Sequence, residues 1–232
     1  MTRRVPDDPP PKLQLETLDG ALPLGEAVFR SLRQALQAGL YRPGDRLREE
    51  EIARELKVSR TPVREAFGRL LTKGFVEPGG AKGLIVRRLD MAEILELYAM
   101  REILEGAAAR LAAQHASPPE IDALADLEAA FEQAGASAEM ARLNRLFHRG
   151  IVRAAGNRYL QNALEELQDA IALLGVTTFS VAGRPPTAGR EHGGILAAIA
   201  ARDADRAEAL ARTHIREALR ARLKLLQDSG PH

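Results

Sequence analysis

Apolar positions set the element pattern before anything else. Over 24–39, Leu24, Ala27, Val28, Leu32, Ala35 and Leu36 recur at a 3.6-residue period, which predicts a helix stopped by Gly39. Pro43-Gly44-Asp45 reads as a turn. A short helix over 49–57 turns Ile52, Ala53 and Leu56 inward, and Val58-Ser59-Arg60 forms a tight link. Thr61 is expected as an N-cap with Pro62 at the first helical position, where the missing N–H costs nothing. The helix that follows buries Val63, Ala66, Phe67, Leu70 and Leu71 and ends at Gly74. Two short strands, 75–78 and 84–87, flank a glycine-rich hairpin loop at 79–83.

After residue 90 the strand signal stops and the sequence becomes rich in Ala and Leu. Asp90-Met91-Ala92-Glu93 and Ser117-Pro118-Pro119-Glu120 both have the form of capping boxes. They open helices expected over 90–115 and 117–135. Further helices are expected over 138–155, 159–181, 191–201 and 205–228, with 183–189 as a Pro/Gly loop. Helices joined by short links make an antiparallel bundle. The fold class is therefore mainly α: a winged helix-turn-helix followed by an all-α bundle. Residues 1–21 form a flexible arm, 22–90 the first domain and 91–228 the second.

Charge sharpens that division. The chain holds 33 Lys+Arg and 32 Asp+Glu, a formal net of +1. Residues 22–90 carry a net of +5 and residues 91–232 a net of −3. A basic front and an acidic back imply different partners. With no cysteine, disulfide frameworks, thiolate metal sites and cysteine nucleophiles are excluded. No apolar run is long enough to span a membrane, and the Pro- and charge-rich start is not a signal peptide. A cytoplasmic protein without a membrane partner is expected.

The basic front has the chemistry of a DNA reader. Val63, Phe67 and Leu70 fill the buried face of one helix, while Arg60 and Arg64 lie one turn apart on the other. An arginine there suits the O6/N7 edge of guanine in the major groove. Ser59 and Thr61 sit beside a helix N-terminus where phosphate is favoured. Lys82 and Gly83, at the hairpin tip, are placed to enter the minor groove.

The back half has a second concentration of chemistry. Of five histidines, His148, His192 and His214 each fall on an apolar stripe of a different helix, so all three point into the bundle. Asn144 precedes His148 by four residues and reaches the same point. Three imidazoles and an oxygen donor suit a divalent first-row ion, Zn²⁺ foremost, with Ni²⁺ or Mn²⁺ as alternatives. Arg101 also lies on an inward stripe and needs a partner. Glu105 at i+4 is one; the carboxylate of a small effector is the other.

Two stretches carry a resemblance to a known family. Residues 39–47 (Gly-Leu-Tyr-Arg-Pro-Gly-Asp-Arg-Leu) and 58–66 (Val-Ser-Arg-Thr-Pro-Val-Arg-Glu-Ala) resemble the DNA-binding domain of GntR-family transcription regulators. Tyr98 to Glu105, Asn144 to His148, Gly156-Asn157, Glu191-His192 and His214 are similar to the FCD effector domain of the FadR-type subfamily, a bundle of six or seven helices. The resemblance implies a homodimeric, ligand-responsive repressor on a palindromic operator in double-stranded DNA. It implies base contacts by Arg60 and Arg64 and minor-groove entry by Gly83. It also implies a metal held by Asn144, His148, His192 and His214, and a small carboxylate effector near Arg101. Two positions depart from the family pattern. Glu50 stands where some relatives carry a DNA-contacting Arg, and Asn144 stands where metal-binding relatives carry Asp, so weaker metal retention is expected. A metal-dependent hydrolase or lyase and a nonspecific architectural DNA binder are the competing classes.

Overall fold

The computed structural model describes residues 13–15, 22–80 and 83–228. They fall into two compact units, Met1–Leu89 with Asp169–Gly175, and Asp90–Gln168 with Val176–His232.

The first unit is built from α1 (Leu24–Gln37), α2 (Glu49–Leu56) and α3 (Arg60–Thr72) with a small sheet of β1 (Arg46–Leu47), β2 (Val76–Pro78) and β3 (Leu84–Val86). The sheet order is β1-β3-β2, antiparallel throughout, with Val76 opposite Val86 and Leu47 opposite Leu84. Val28, Leu32, Leu36, Val63, Leu70, Phe75 and Val86 form its core. β1 is an addition to the expected pair of strands; two residues are too few to leave an alternating signal. The α3 boundary also differs from expectation. Ser59, not Thr61, has the extended backbone of an N-cap, so Arg60 is already helical. Thr61 and Pro62 then lie in the first turn, where backbone N–H groups have no intrahelical partner to lose.

Three residues of the expected arm are described. Leu13 is buried in the core of this unit and its N–H donates to Glu55 Oε1 at 3.1 Å, with Leu15 packed beside it. Two apolar residues, i and i+2, are enough to anchor a short extended segment. Residues 1–12 and 16–21 of that expected arm lie outside the described residues. At the other end of the unit, Leu173 joins the core. Asp169 Oδ1 accepts from Arg33 Nε at 2.6 Å and Gln37 Nε2 at 3.0 Å.

The second unit is helical: α4 (Met91–His115), α5 (Pro118–Gln133), α6 (Ser137–Ala154), α7 (Arg158–Ala172, of which the residues from Asp169 belong to the first unit), a 3₁₀ turn (Thr178–Ser180), α8 (Arg184–Ala200) and α9 (Ala204–Asp228). Both capping boxes form. The Glu93 N–H donates to Asp90 Oδ1 at 2.9 Å while the Asp90 N–H donates to Glu93 Oε2 at 3.0 Å; at the second box the Ser117 N–H and hydroxyl both donate to Glu120 Oε2, at 2.8 and 2.6 Å. Ala108, Ala109, Ala112 and Ala113 are buried on α4, as are Ala207, Ala211 and Ala218 on α9. Such small residues let helices approach closely around the core.

Two helix ends depart from expectation. α7 stops at Ala172 rather than 181, and α8 starts at Arg184 rather than 191. Gly183, at φ 80°, takes the left-handed backbone just before α8. Pro185 and Pro186 occupy the first turn of α8, so the proline-rich stretch is a helix start and not a loop. No helix among the described residues is long and apolar enough to cross a membrane.

Candidate functional site

On the first unit, α3 buries Pro62, Val63, Ala66, Phe67 and Leu70 and leaves its other face to solvent. Ser59, Arg60, Thr61 and Arg64 are all exposed there. The Ser59 hydroxyl makes no cap hydrogen bond, so it is available to a ligand. Neither arginine is solvated alone. Arg60 Nη2 lies 2.8 Å from Glu50 Oε1, and Arg64 Nε lies 2.8 Å from Glu49 Oε2, both carboxylates coming from α2. Sequence reasoning missed these partners, because an inter-helix pair depends on how α2 packs across α3. Gly83 directly precedes β3, and a Cβ there would meet the Leu47 carbonyl oxygen at 3.0 Å. Close approach of β1 is thus one physical reason for glycine at this position. Lys82 lies outside the described residues.

The second unit brings His148 (α6), His192 (α8) and His214 (α9) together. All three are buried, His192 completely, and their ligand nitrogens fall within 4.8 Å of one another. Phe147 stacks on His192 with centroids 4.6 Å apart, and Phe131 meets the same ring edge-on. The Nδ1 atoms share one environment. His148 Nδ1 lies 2.6 Å from Glu105 Oε2, His192 Nδ1 lies 3.0 Å from Glu128 Oε2, and His214 Nδ1 lies 2.7 Å from Glu191 Oε2.

Where Nδ1 carries the proton, Nε2 is left with a lone pair. Ionised Glu105, held low by Arg101, draws the proton to His148 Nδ1. His148 Nε2 and His214 Nε2 lie 3.2 Å apart, and His192 Nε2 is buried with no hydrogen-bond partner. Burial, followed by the neighbouring imidazoles, pushes His192 and His214 well below the ordinary histidine range. A proton shared by His148 and His214, or a cation among the three nitrogens, satisfies such lone pairs in an apolar bundle. A carboxylate on the far nitrogen is the outer arrangement that metal-binding histidines have. The donor set therefore fits a divalent ion. Asn144 Oδ1 is likewise buried without a partner, one turn before His148 on α6.

Arginines neutralise two of the three carboxylates. Arg101 Nε donates to Glu105 Oε1 at 2.8 Å, and its guanidinium lies 4.9 Å from the Tyr98 ring centroid. Of the two partners open to Arg101, the structure thus uses Glu105. Burial pushes the Glu105 carboxyl up, but Arg101 and His148 outweigh it and hold it at about 2. Arg184 Nη1 donates to Glu191 Oε2 at 2.7 Å, although burial still leaves that carboxyl raised. Burial, and then the neighbouring Glu132, pushes Glu128 up to about 7. A cavity with space for about one water adjoins the cluster, lined by Glu105, His148, Ile151, Ile195 and others.

Glu105, Glu128, Glu191 and Arg184 are site residues that sequence reasoning did not assign to the cluster. A signal existed for two. Glu128 interrupts the apolar stripe Ile121, Leu124, Phe131, and Glu105 interrupts Tyr98, Ala108, Ala112.

Known proteins agree with both halves. The model of bacterial regulatory proteins of the gntR family matches residues 24–86, and the model of the FCD domain matches residues 96–217. The chain is 30% identical over 179 residues to the HTH-type transcriptional regulator YdhC of Bacillus subtilis, covering 75% of this chain and 80% of that protein. It is 38% identical over 133 residues to the Nta operon transcriptional regulator of Aminobacter aminovorans, covering 56% of this chain and 63% of that protein. Among solved structures, McbR/YncC of E. coli superposes with a TM-score of 0.80 at 23% identity, over 88% of this chain and 99% of the other.

Proposed function

This chain belongs to the gntR family of bacterial regulatory proteins and carries an FCD domain, and on that premise we propose that it is a metal-containing, ligand-responsive repressor. As a member of that family it is a DNA-binding transcription regulator and not an enzyme, which sets aside the hydrolase or lyase alternative. The carboxylates around the histidines also have other work, since all three orient imidazoles.

Arg60 and Arg64 read base edges, Ser59 and Thr61 take phosphates, and Lys82 and Gly83 follow the minor groove. His148, His192, His214 and the Asn144 carbonyl hold a divalent ion, Zn²⁺ foremost. When bound, that ion supplies a Lewis-acidic point to which a small organic acid binds. A second effector carboxylate competes with Glu105 for Arg101, which also loosens Glu105 from His148. Two copies pair in the cytoplasm and meet a palindromic operator, because two-fold symmetry in protein and DNA go together.

What supports the metal most directly is the convergence of three buried imidazoles, with ring nitrogens within 4.8 Å of one another and each Nδ1 beside a carboxylate. Replacing both His148 and His214 by Ala should abolish metal uptake, measured by elemental analysis, while operator binding persists. Arg64→Ala should instead weaken operator binding and relax preference at one base pair, by roughly 1–3 kcal/mol. Metal content equal to the parent in the double variant would remove the metal site.

A further inference from the structure

We propose that Glu49 and Glu50 are specificity-determining residues of the DNA-reading face: they hold Arg64 and Arg60 so that these engage matching base acceptors in preference to phosphates. The proposal rests on the DNA-reading role of the two arginines. It starts from a register of two parallel ion pairs. Arg60 and Arg64 lie one turn apart on α3, and Glu50 and Glu49 are consecutive at the start of α2. Each arginine has its own carboxylate at 2.8 Å. Glu51, in the same turn, takes no part; it pairs with Arg48 at 3.0 Å.

The helix dipole favours acids in the first turn of α2 and explains why some carboxylate is there. It does not explain two pairings with the arginines of the reading face. Stability does not explain them either. The side chains of Arg60 and Arg64 are 57% and 64% exposed, and exposed ion pairs contribute little to folding. Their effect falls on what the arginines meet.

A phosphate offers an arginine one diffuse negative charge, and the carboxylate already supplies that. Exchange with a phosphate gains little, and Glu49 and Glu50 also repel the backbone. The guanine edge offers two acceptors in a plane, which a guanidinium held at one corner can meet with its remaining N–H groups. Each glutamate thus suppresses attachment to arbitrary sequence more than attachment to the operator.

The test uses the full-length protein, a duplex that it selects from random-sequence DNA, and an unrelated duplex of equal length. Glu49→Gln and Glu50→Gln keep size and hydrogen-bonding capacity. Each should raise affinity for the unrelated duplex by up to about fivefold, the scale of one exposed ion pair, with a smaller gain on the selected one. The ratio of the two affinities therefore falls, and the salt dependence on the unrelated duplex steepens. Glu51→Gln serves as the charge control and should leave the ratio nearer the parent value. An unchanged ratio in both variants, or an equal fall with Glu51→Gln, would overturn the proposal. A parent protein that selects no sequence would instead overturn the DNA-reading role itself.

Discussion

Asn144 places a neutral amide where a carboxylate would add a charge to three imidazoles, so its replacement tests the metal cluster directly. With Asn144→Asp, metal affinity should rise by on the order of tenfold, read by competition with a chelator. The same variant stripped of metal should be less stable than stripped parent by roughly 1–3 kcal/mol, since a buried charge then lacks a partner. A rise in affinity without that loss would mean that the introduced carboxylate finds another partner. Acid supplies a second test on metal-free protein. His192 and His214 stay neutral in the fold and protonate below about 6.5 when unfolded, so the unfolded chain binds more protons there. Glu128, raised to about 7, works the other way by holding one proton in the fold between that value and the ordinary carboxylate range. Glu191 is raised as well and adds to that opposition as the pH falls. The imidazoles therefore prevail at the upper end, and stability should fall as the pH drops from about 7 to about 6, seen as a lower Tm. The inward histidines were legible in the sequence, since each sits on an apolar stripe. Glu105 and Glu128 were legible only as acids on apolar stripes; their partners were not, because Glu105 pairs across to α6 and Glu128 to α8, and such pairing follows helix packing rather than spacing.

Among the elements, α4 shows what burial leaves unexplained. One side buries Ile94, Leu97 and Tyr98, yet Met91, Leu95, Met100 and Ile103 remain exposed on the same helix. Leu95, Ala99 and Ile103 follow one another at i+4 as an exposed apolar row, and the proposed homodimer supplies its cover. Ile103→Glu should halve the mass measured by light scattering and weaken operator binding, while the helical content by circular dichroism stays at the parent level. A dimer of undiminished stability would move the interface away from α4. Most helices were legible from periodicity and capping boxes, with Asp90 and Ser117 opening their helices as expected. Ends failed where local chemistry is ambiguous. Pro185 and Pro186 fit a loop or a first helical turn equally well, and only the packing of α8 decides between them. Leu13 was hidden for a related reason, as one buried side chain in a proline-rich stretch carries no period.

For the whole molecule, a nearly neutral chain conceals a basic unit that meets DNA and an acidic one that holds the proposed metal. If metal and operator act on one equilibrium between two arrangements, each must change the affinity for the other by the same factor. Operator affinity should be measured with zinc-loaded and zinc-stripped protein, and zinc affinity with and without operator. The two ratios should agree and lie within the roughly 5–150-fold range of such couplings. His192→Ala, which removes one donor and frees Glu128, should bring both ratios close to one while operator binding itself survives. Ratios of one in the parent would confine the ion to a structural role within its own unit. Ratios that differ would show that stripping the metal does more than shift an equilibrium, because reciprocity holds only between states of the same folded protein.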